Sequence, residues 1–143
     1  MSMASWKKQY YPRSASRRMT TLEAIEHSLQ KWLGLRPETL AKHGLNYDDG
    51  AVEENNTRSS EALRSLEAFL IDSSTCALCQ MFLENAVLCG DCPLGLVLGR
   101  QCDLGDDSPY WAFVERRDPE PMIAALRVAR RRAKAKELRR VRR

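Results

Sequence analysis

Five cysteines fall between residues 76 and 102 of this 143-residue chain, arranged as Cys76-x2-Cys79, nine residues, Cys89-x2-Cys92, nine residues, Cys102. No other feature constrains the fold as strongly. A zinc ion takes four ligands at tetrahedral corners, about 2.3 Å from each sulfur, and a C-x2-C turn aims two sulfurs at one point. A spacing of three also places Cys76 and Cys79 on one face of a helix. With Thr75 as its N-cap, that helix would bring amides and the positive end of its dipole to the thiolates. Gly90, between Cys89 and Cys92, permits a tight backbone. Paired spacing is what a mononuclear site repeats, so Cys76, Cys79, Cys89 and Cys92 are the preferred ligands of a structural Zn2+ site. Cys102 is a possible substitute for one of them, or a small core residue.

Rival readings of the cysteines are weaker. An iron–sulfur cluster also takes four thiolates, and Cys92-Pro93 matches the Cys-Pro of ferredoxin runs, but the tight x2-x2-x3 spacing is absent. A thioredoxin-like pair needs a βαβ context that a helical pattern does not supply. Reduced buried cysteines without a ligand are disfavoured by the regular spacing. His27 and His43 lie in the N-terminal half and read as surface or core residues rather than ligands.

The rest of the chain explains why a staple is needed. One modest domain fits this length, and small cores are usually reinforced by a metal, disulfides or an oligomer. The N-terminus has no apolar leader and no window approaches the roughly 18 apolar residues of a membrane span. A cytoplasmic location is expected, where thiols stay reduced and an odd cysteine count favours metal over disulfides.

Charge is segregated. Residues 1–18 carry five basic residues and no acid, and residues 127–143 carry ten basic residues and one acid. The segment between carries eight basic and eighteen acidic residues. The chain reads as a disordered basic and aromatic arm (1–19), a helical body holding the cysteine segment (20–126) and a basic helical tail (127–143). Basic arms attract phosphate-rich partners or acidic surfaces, their own acidic body included. Trp6, Tyr10 and Tyr11 in the first arm suit docking on the body better than stacking on bases.

Hydrophobic spacing predicts a mainly α fold, a small single helical domain with an irregular Cys-rich metal-binding segment. Leu22, Ile25, Leu29, Trp32 and Leu33 predict a helix capped by Thr20 or Thr21 and ending near Gly34. Residues 38–43 suit a short helical turn, and residues 44–57 a solvated loop. Within that loop Asp48-Asp49-Gly50 lacks the ligand spacing of a calcium site. Leu63, Leu66, Phe69 and Leu70 predict a second helix capped by Ser59 or Ser60. Residues 76–86 read as a third helix and 89–109 as irregular. Pro109 sets a turn or helix start, with Tyr110, Trp111 and Phe113 covering the core. A last helix starts near Pro121 and carries Met122, Ala125, Leu126 and Ala129.

The run Cys76-Ala-Leu-Cys79-Gln80, then Cys89-Gly-Asp-Cys92-Pro93-Leu94, Cys102 and Ser108-Pro109-Tyr110 resembles a group of small cysteine-rich bacterial and phage proteins without a known activity. These share a C-x-L-C, C-x2-C-P, lone Cys and P-Y pattern, and often a Leu…Trp helix like Leu22 to Trp32. The resemblance covers residues 20–33 and 76–126. It implies a prokaryotic or viral source and a shared metal-type core. The basic arms and the acidic insert at 36–57 depart from the group.

No nucleophile elbow, phosphate loop, zinc-protease helix or Cys-His pair is present, so no catalytic activity and no small-molecule substrate are expected. The expected function is a small zinc-stabilised regulator that binds nucleic acid non-specifically through Arg127, Arg130, Arg131, Arg132, Lys134, Lys136, Arg139, Arg140, Arg142 and Arg143. The alternative is an adaptor or inhibitor acting on a host protein, its zinc site purely structural. An iron–sulfur or thiol redox role is a further alternative. No membrane partner is expected.

Overall fold

The computed structural model describes residues 2–55, 68–82 and 91–142. Seven α-helices and one small sheet are present among them. The helices are α1 (Met3–Tyr10), α2 (Thr21–Leu33), α3 (Pro37–Lys42), α4 (Ala77–Phe82), α5 (Pro93–Leu98), α6 (Pro109–Arg116) and α7 (Glu120–Val141). The strands are β1 (Leu45–Asp48), β2 (Ala51–Glu54) and β3 (Phe69–Leu70). The mainly helical class is as the spacing predicts. No helix among the described residues is long and apolar enough to cross a membrane.

The central element is α2. Thr20 caps it by accepting the Glu23 amide at 3.1 Å, and Glu23 favours the positive end of its dipole. It packs most extensively against α7 and next against α4. Ala24, Ser28 and Lys31 form a deep stripe on α2, spaced i, i+4, i+7 and each at most 1% exposed, and Leu35 is buried just past its end. The apolar residues that mark the helix in sequence flank this stripe: Ile25, Leu29 and Trp32 are buried, Leu22 and Leu33 half-buried. A serine and a lysine thus occupy the middle of the buried face.

The expected disorder of residues 1–19 is corrected by α1. Ser2 and Ser5 cap it reciprocally, which satisfies amide donors that an isolated short helix would leave open. Trp6 is fully buried, and its indole N–H donates to the Gly34 carbonyl at 2.8 Å. Its ring meets Phe69 edge-on at 5.1 Å, and Tyr11 meets Phe69 at 4.7 Å. The aromatics of this segment therefore dock on the body.

Gly34 makes that docking possible. Its backbone is ordinary right-handed helix, so conformational freedom is not the reason for glycine here. A Cβ at this position would stand 2.5 Å from Tyr10 Cγ and 2.9 Å from Trp6 Nε1. Gly34→Ala is expected to lower unfolding free energy by about 1–3 kcal/mol, the range of overpacked sites. Urea denaturation checks it, and an unchanged midpoint would show that α1 shifts freely.

Within the loop expected over residues 44–57, residues 45–54 instead form a β-hairpin. Asp48 pairs with Ala51 across the two-residue turn Asp49-Gly50, whose φ angles are 43° and 84°. Positive φ at both centres is what a tight type I′ hairpin demands, and Asp-Gly supplies it. Phe69–Leu70, expected to end a helix, pairs antiparallel with β2 through Ala51↔Leu70 and Val52↔Phe69. The proposed caps Ser59 and Ser60 lie outside the described residues. The sheet buries Leu45, Tyr47, Val52 and Phe69, and Tyr47 contacts the Phe113 ring at 4.5 Å.

Segment 89–109, expected to be irregular, contains α5. Pro93 opens this helix at its first position and Gly99, at φ 71°, closes it. α6 starts at Pro109 as expected, with Ser108 as its cap. α7 carries Met122, Ile123, Ala125, Leu126 and Ala129 into the core. Beyond Ala133, half-buried, every described residue to Arg142 is exposed.

Candidate metal centre

Four cysteines from three parts of the chain line one cavity of about 20 Å3: Cys76, Cys79, Cys92 and Cys102. The remaining wall is Leu78, Phe82, Leu94 and Gly95, so the surroundings are apolar. No disulfide joins these four to one another. The volume is close to that of one water-sized sphere. Cys89, a preferred ligand by spacing, lies outside the described residues.

Cys76 and Cys92 hold equivalent positions. Each is the extended residue directly before a short helix, α4 and α5 respectively. The expected cap Thr75 is not in that role. Cys76 itself is the N-cap: its sulfur accepts the Cys79 amide at 3.4 Å, and its carbonyl accepts the Gln80 amide at 3.0 Å. Thr75 sits in a short 3-10 turn, and its hydroxyl donates to the Leu70 carbonyl at 2.7 Å. Cys102 is positioned from the other side, where its carbonyl accepts the Tyr110 amide at 3.2 Å.

The electrostatics favour thiolate at this point. A hydrogen bond from the Cys79 side chain, with nearby Lys31 adding to it, holds the Cys76 thiol well below the usual thiol range despite burial. Ser28 Oγ stands 4.0 Å from the same sulfur. Burial pushes the Lys31 ammonium down, and the sulfurs of Cys76 and Cys79, the Asp72 carboxylate and the Cys102 sulfur oppose that effect. Lys31 Nζ donates to the Thr75 carbonyl at 3.1 Å and stands 3.4 Å from its hydroxyl.

Beside the thiols lies a second, larger cavity of about 310 Å3, with Lys31, Asp72, Cys76, Cys102 and Tyr110 in its walls. Neither histidine borders either cavity. His27 Nε2 bonds the Arg13 carbonyl at 2.7 Å, and His43 Nδ1 shares a hydrogen bond with Ser5 Oγ at 2.9 Å. Among the described residues, no group of three or more Cys, His, Asp or Glu side chains stands in metal-holding geometry. The four cysteines therefore share one cavity without closing on a point within it.

Sequence reasoning missed Ser28 and Lys31. The available signal was their helical spacing from Ala24, at i+4 and i+7.

The basic tail is the second candidate site. Of the nine described basic residues from Arg127 to Arg142, eight are exposed and Arg130 is half-buried. Among the described residues, none of the nine is in an ion pair. The tail does not fold back on the acidic body. It continues α7 outward as a helix, and Arg143 lies outside the described residues.

No protein-family profile, no curated protein and no solved structure matches the chain.

Proposed function

We propose that this protein is a small zinc-stabilised regulator that grips nucleic acid non-specifically through the basic end of α7. The observation that carries this reading is the outward continuation of α7, whose described cations are in no ion pair. Residues 127–142 span about 24 Å of helix at about 1.5 Å per residue. Arg127, Arg131 and Lys134 follow one line along it, and Arg132, Lys136 and Arg139 follow another, because i, i+4 and i+7 coincide on a helix. Cations on separate lines suit phosphates on more than one side. A membrane-surface helix would need a broad apolar face, and here only Leu138 and Val141 are apolar and strongly exposed.

The metal belongs to this reading as scaffold. A zinc ion would draw cysteines from the start of α4, the start of α5 and the 99–108 loop together. A cavity of about 20 Å3 suits a single ion better than a multi-iron cluster. Elemental analysis of the purified protein separates zinc from iron.

Duplex DNA binding titrated against salt tests the nucleic-acid reading. With about six phosphate contacts, affinity should fall roughly 10³-fold between 50 and 200 mM salt. Binding indifferent to salt, or no binding at low salt, defeats it.

One feature favours a second reading, docking to a host protein. Leu96, Leu104 and Trp111 are exposed by 62%, 56% and 37%. Trp111 is tied to the 99–108 loop through its indole N–H and the Asp103 carbonyl at 2.8 Å. Tyr110, by contrast, is half-buried and Phe113 fully buried. Of the aromatic group, only Trp111 is offered to a partner.

A further inference from the structure

Lys31 is the most costly residue in the described core. It is 1% exposed, and no carboxylate lies within ion-pair distance of it among the described residues. Among the described residues its hydrogen bonds are to Thr75 alone, and its ammonium stands 5.7 Å from the centre of the Trp32 ring. An ammonium in such a place loses its hydration and gains little in return. Buried lysines therefore either meet a counter-charge or cost several kcal/mol. A methionine or leucine on the same stripe would pack as well without that cost.

The groups around Lys31 supply the missing anion. It bonds the residue directly before Cys76, and it lines the same cavity as Cys76, Cys79 and Cys102. Asp72 and Asp103 also face that cavity, as do Tyr110 and Gln101. The carboxylates lie outside ion-pair distance of the ammonium, whereas Cys76 directly follows the residue that it bonds, and Cys79 and Cys102 border the same cavity. Four thiolates on one Zn2+ carry a net charge of −2. In an apolar shell such a centre needs positive charge nearby as much as the lysine needs negative charge.

We infer that Lys31 is the buried counter-charge of the thiolate metal centre, set on α2 to neutralise part of the excess charge that zinc and its cysteines carry. This rests on the metal reading above, and it holds whichever cysteines complete the set with Cys76. The lysine also tells α2 and the cysteine segment apart from a purely apolar pair of surfaces. Without metal, its charge is offset only in part, by the Cys76 sulfur that it helps to hold toward thiolate; with metal, it is offset more fully. Metal loading and docking of the segment on α2 are then one event.

Lys31→Met tests this, because it keeps the length of the side chain and removes the charge. Zinc affinity is measured on the full chain by competition with a chromophoric chelator, and Co2+ supplies an optical check on thiolate ligation. The metal-free proteins are compared by thermal melting. The expected result has opposite signs. Zinc affinity falls about 10–100-fold, the range seen when groups supporting a metal's ligands are removed. The metal-free variant melts at or above the temperature of the parent, since a buried charge has been removed. Equal zinc affinity in the two proteins overturns the role of Lys31 while leaving the metal reading intact. A joint fall of affinity and metal-free melting temperature also overturns it, because packing alone would do that. A parent protein that takes up neither zinc nor cobalt overturns the metal reading, and Lys31 with it.

Discussion

Removing residues 131–143 will reduce affinity for duplex DNA at about 50 mM salt by a hundredfold or more, and will leave the fold intact. The two halves of this expectation have separate causes. The deletion takes away Arg131, Arg132, Lys134, Lys136, Arg139, Arg140, Arg142 and Arg143, and only one acid, Glu137. Each cation lost is up to one fewer counterion released on binding, and those releases supply nearly all of a non-specific affinity. The fold survives because α7 enters the core only as far as Ala129, with Ala133 half-buried beyond it. None of the described residues deleted is fully buried. The comparison requires gel-shift or anisotropy titrations of both proteins at two salt concentrations, with circular dichroism as the folding control. An unchanged affinity would remove α7 from the interface. A lost affinity with lost helicity beyond the deleted turns would assign the tail a folding role instead.

How far the sequence foretold this depends on the range of the forces involved. The helices α2 and α7 were legible because their signals are local: a capping Thr20, a proline at the start, and apolar residues at helical spacing; for α6, Pro109 marked a turn or a helix start. The hairpin was not, although Asp49-Gly50 is a strong turn signal. Its strands are four residues long and carry Asn46, Asp48, Glu53 and Glu54, so polar composition masked the alternation of Leu45 and Tyr47. Phe69 and Leu70 continue the spacing of Leu63 and Leu66, yet they pair with β2. That pairing is a tertiary contact, and no local pattern announces it.

The candidate site divides in the same way. Cysteine spacing pointed to Cys76, Cys79, Cys89 and Cys92 as one set; Cys76, Cys79 and Cys92 border one cavity together with Cys102, and Cys89 lies outside the described residues. The position of Cys102 depends on the 99–108 loop and its tie to Tyr110, which spacing does not encode. Lys31 was hidden for another reason. A lysine is read as a surface residue by default, and only its register with Ala24 and Ser28 reveals that it is buried.

Trp6→Ala should destabilise the protein by about 3–5 kcal/mol, the range for a buried tryptophan cut to alanine. That is a large share of the roughly 5–15 kcal/mol typical of small domains. The residue sits in an N-terminal segment whose composition suggests disorder, so the expectation is a sharp one. Trp6 is fully buried, fills the notch left by Gly34, and closes over Phe69 at the edge of the sheet. Its removal leaves a cavity between α1, α2 and β3. It also strips the Gly34 carbonyl of its indole donor. Trp6→Phe separates the two contributions: it keeps an aromatic ring against Phe69 and loses the hydrogen bond, at about 1–3 kcal/mol for a buried acceptor left open. Chemical denaturation of both variants checks the order. A loss below about 1 kcal/mol in the alanine variant would mean that α1 contributes little to the folded state. The two large substitutions also differ in kind. Losing Trp6 weakens the body that positions α2, and through α2 the cysteine segment; losing the tail leaves that body whole and removes its reach.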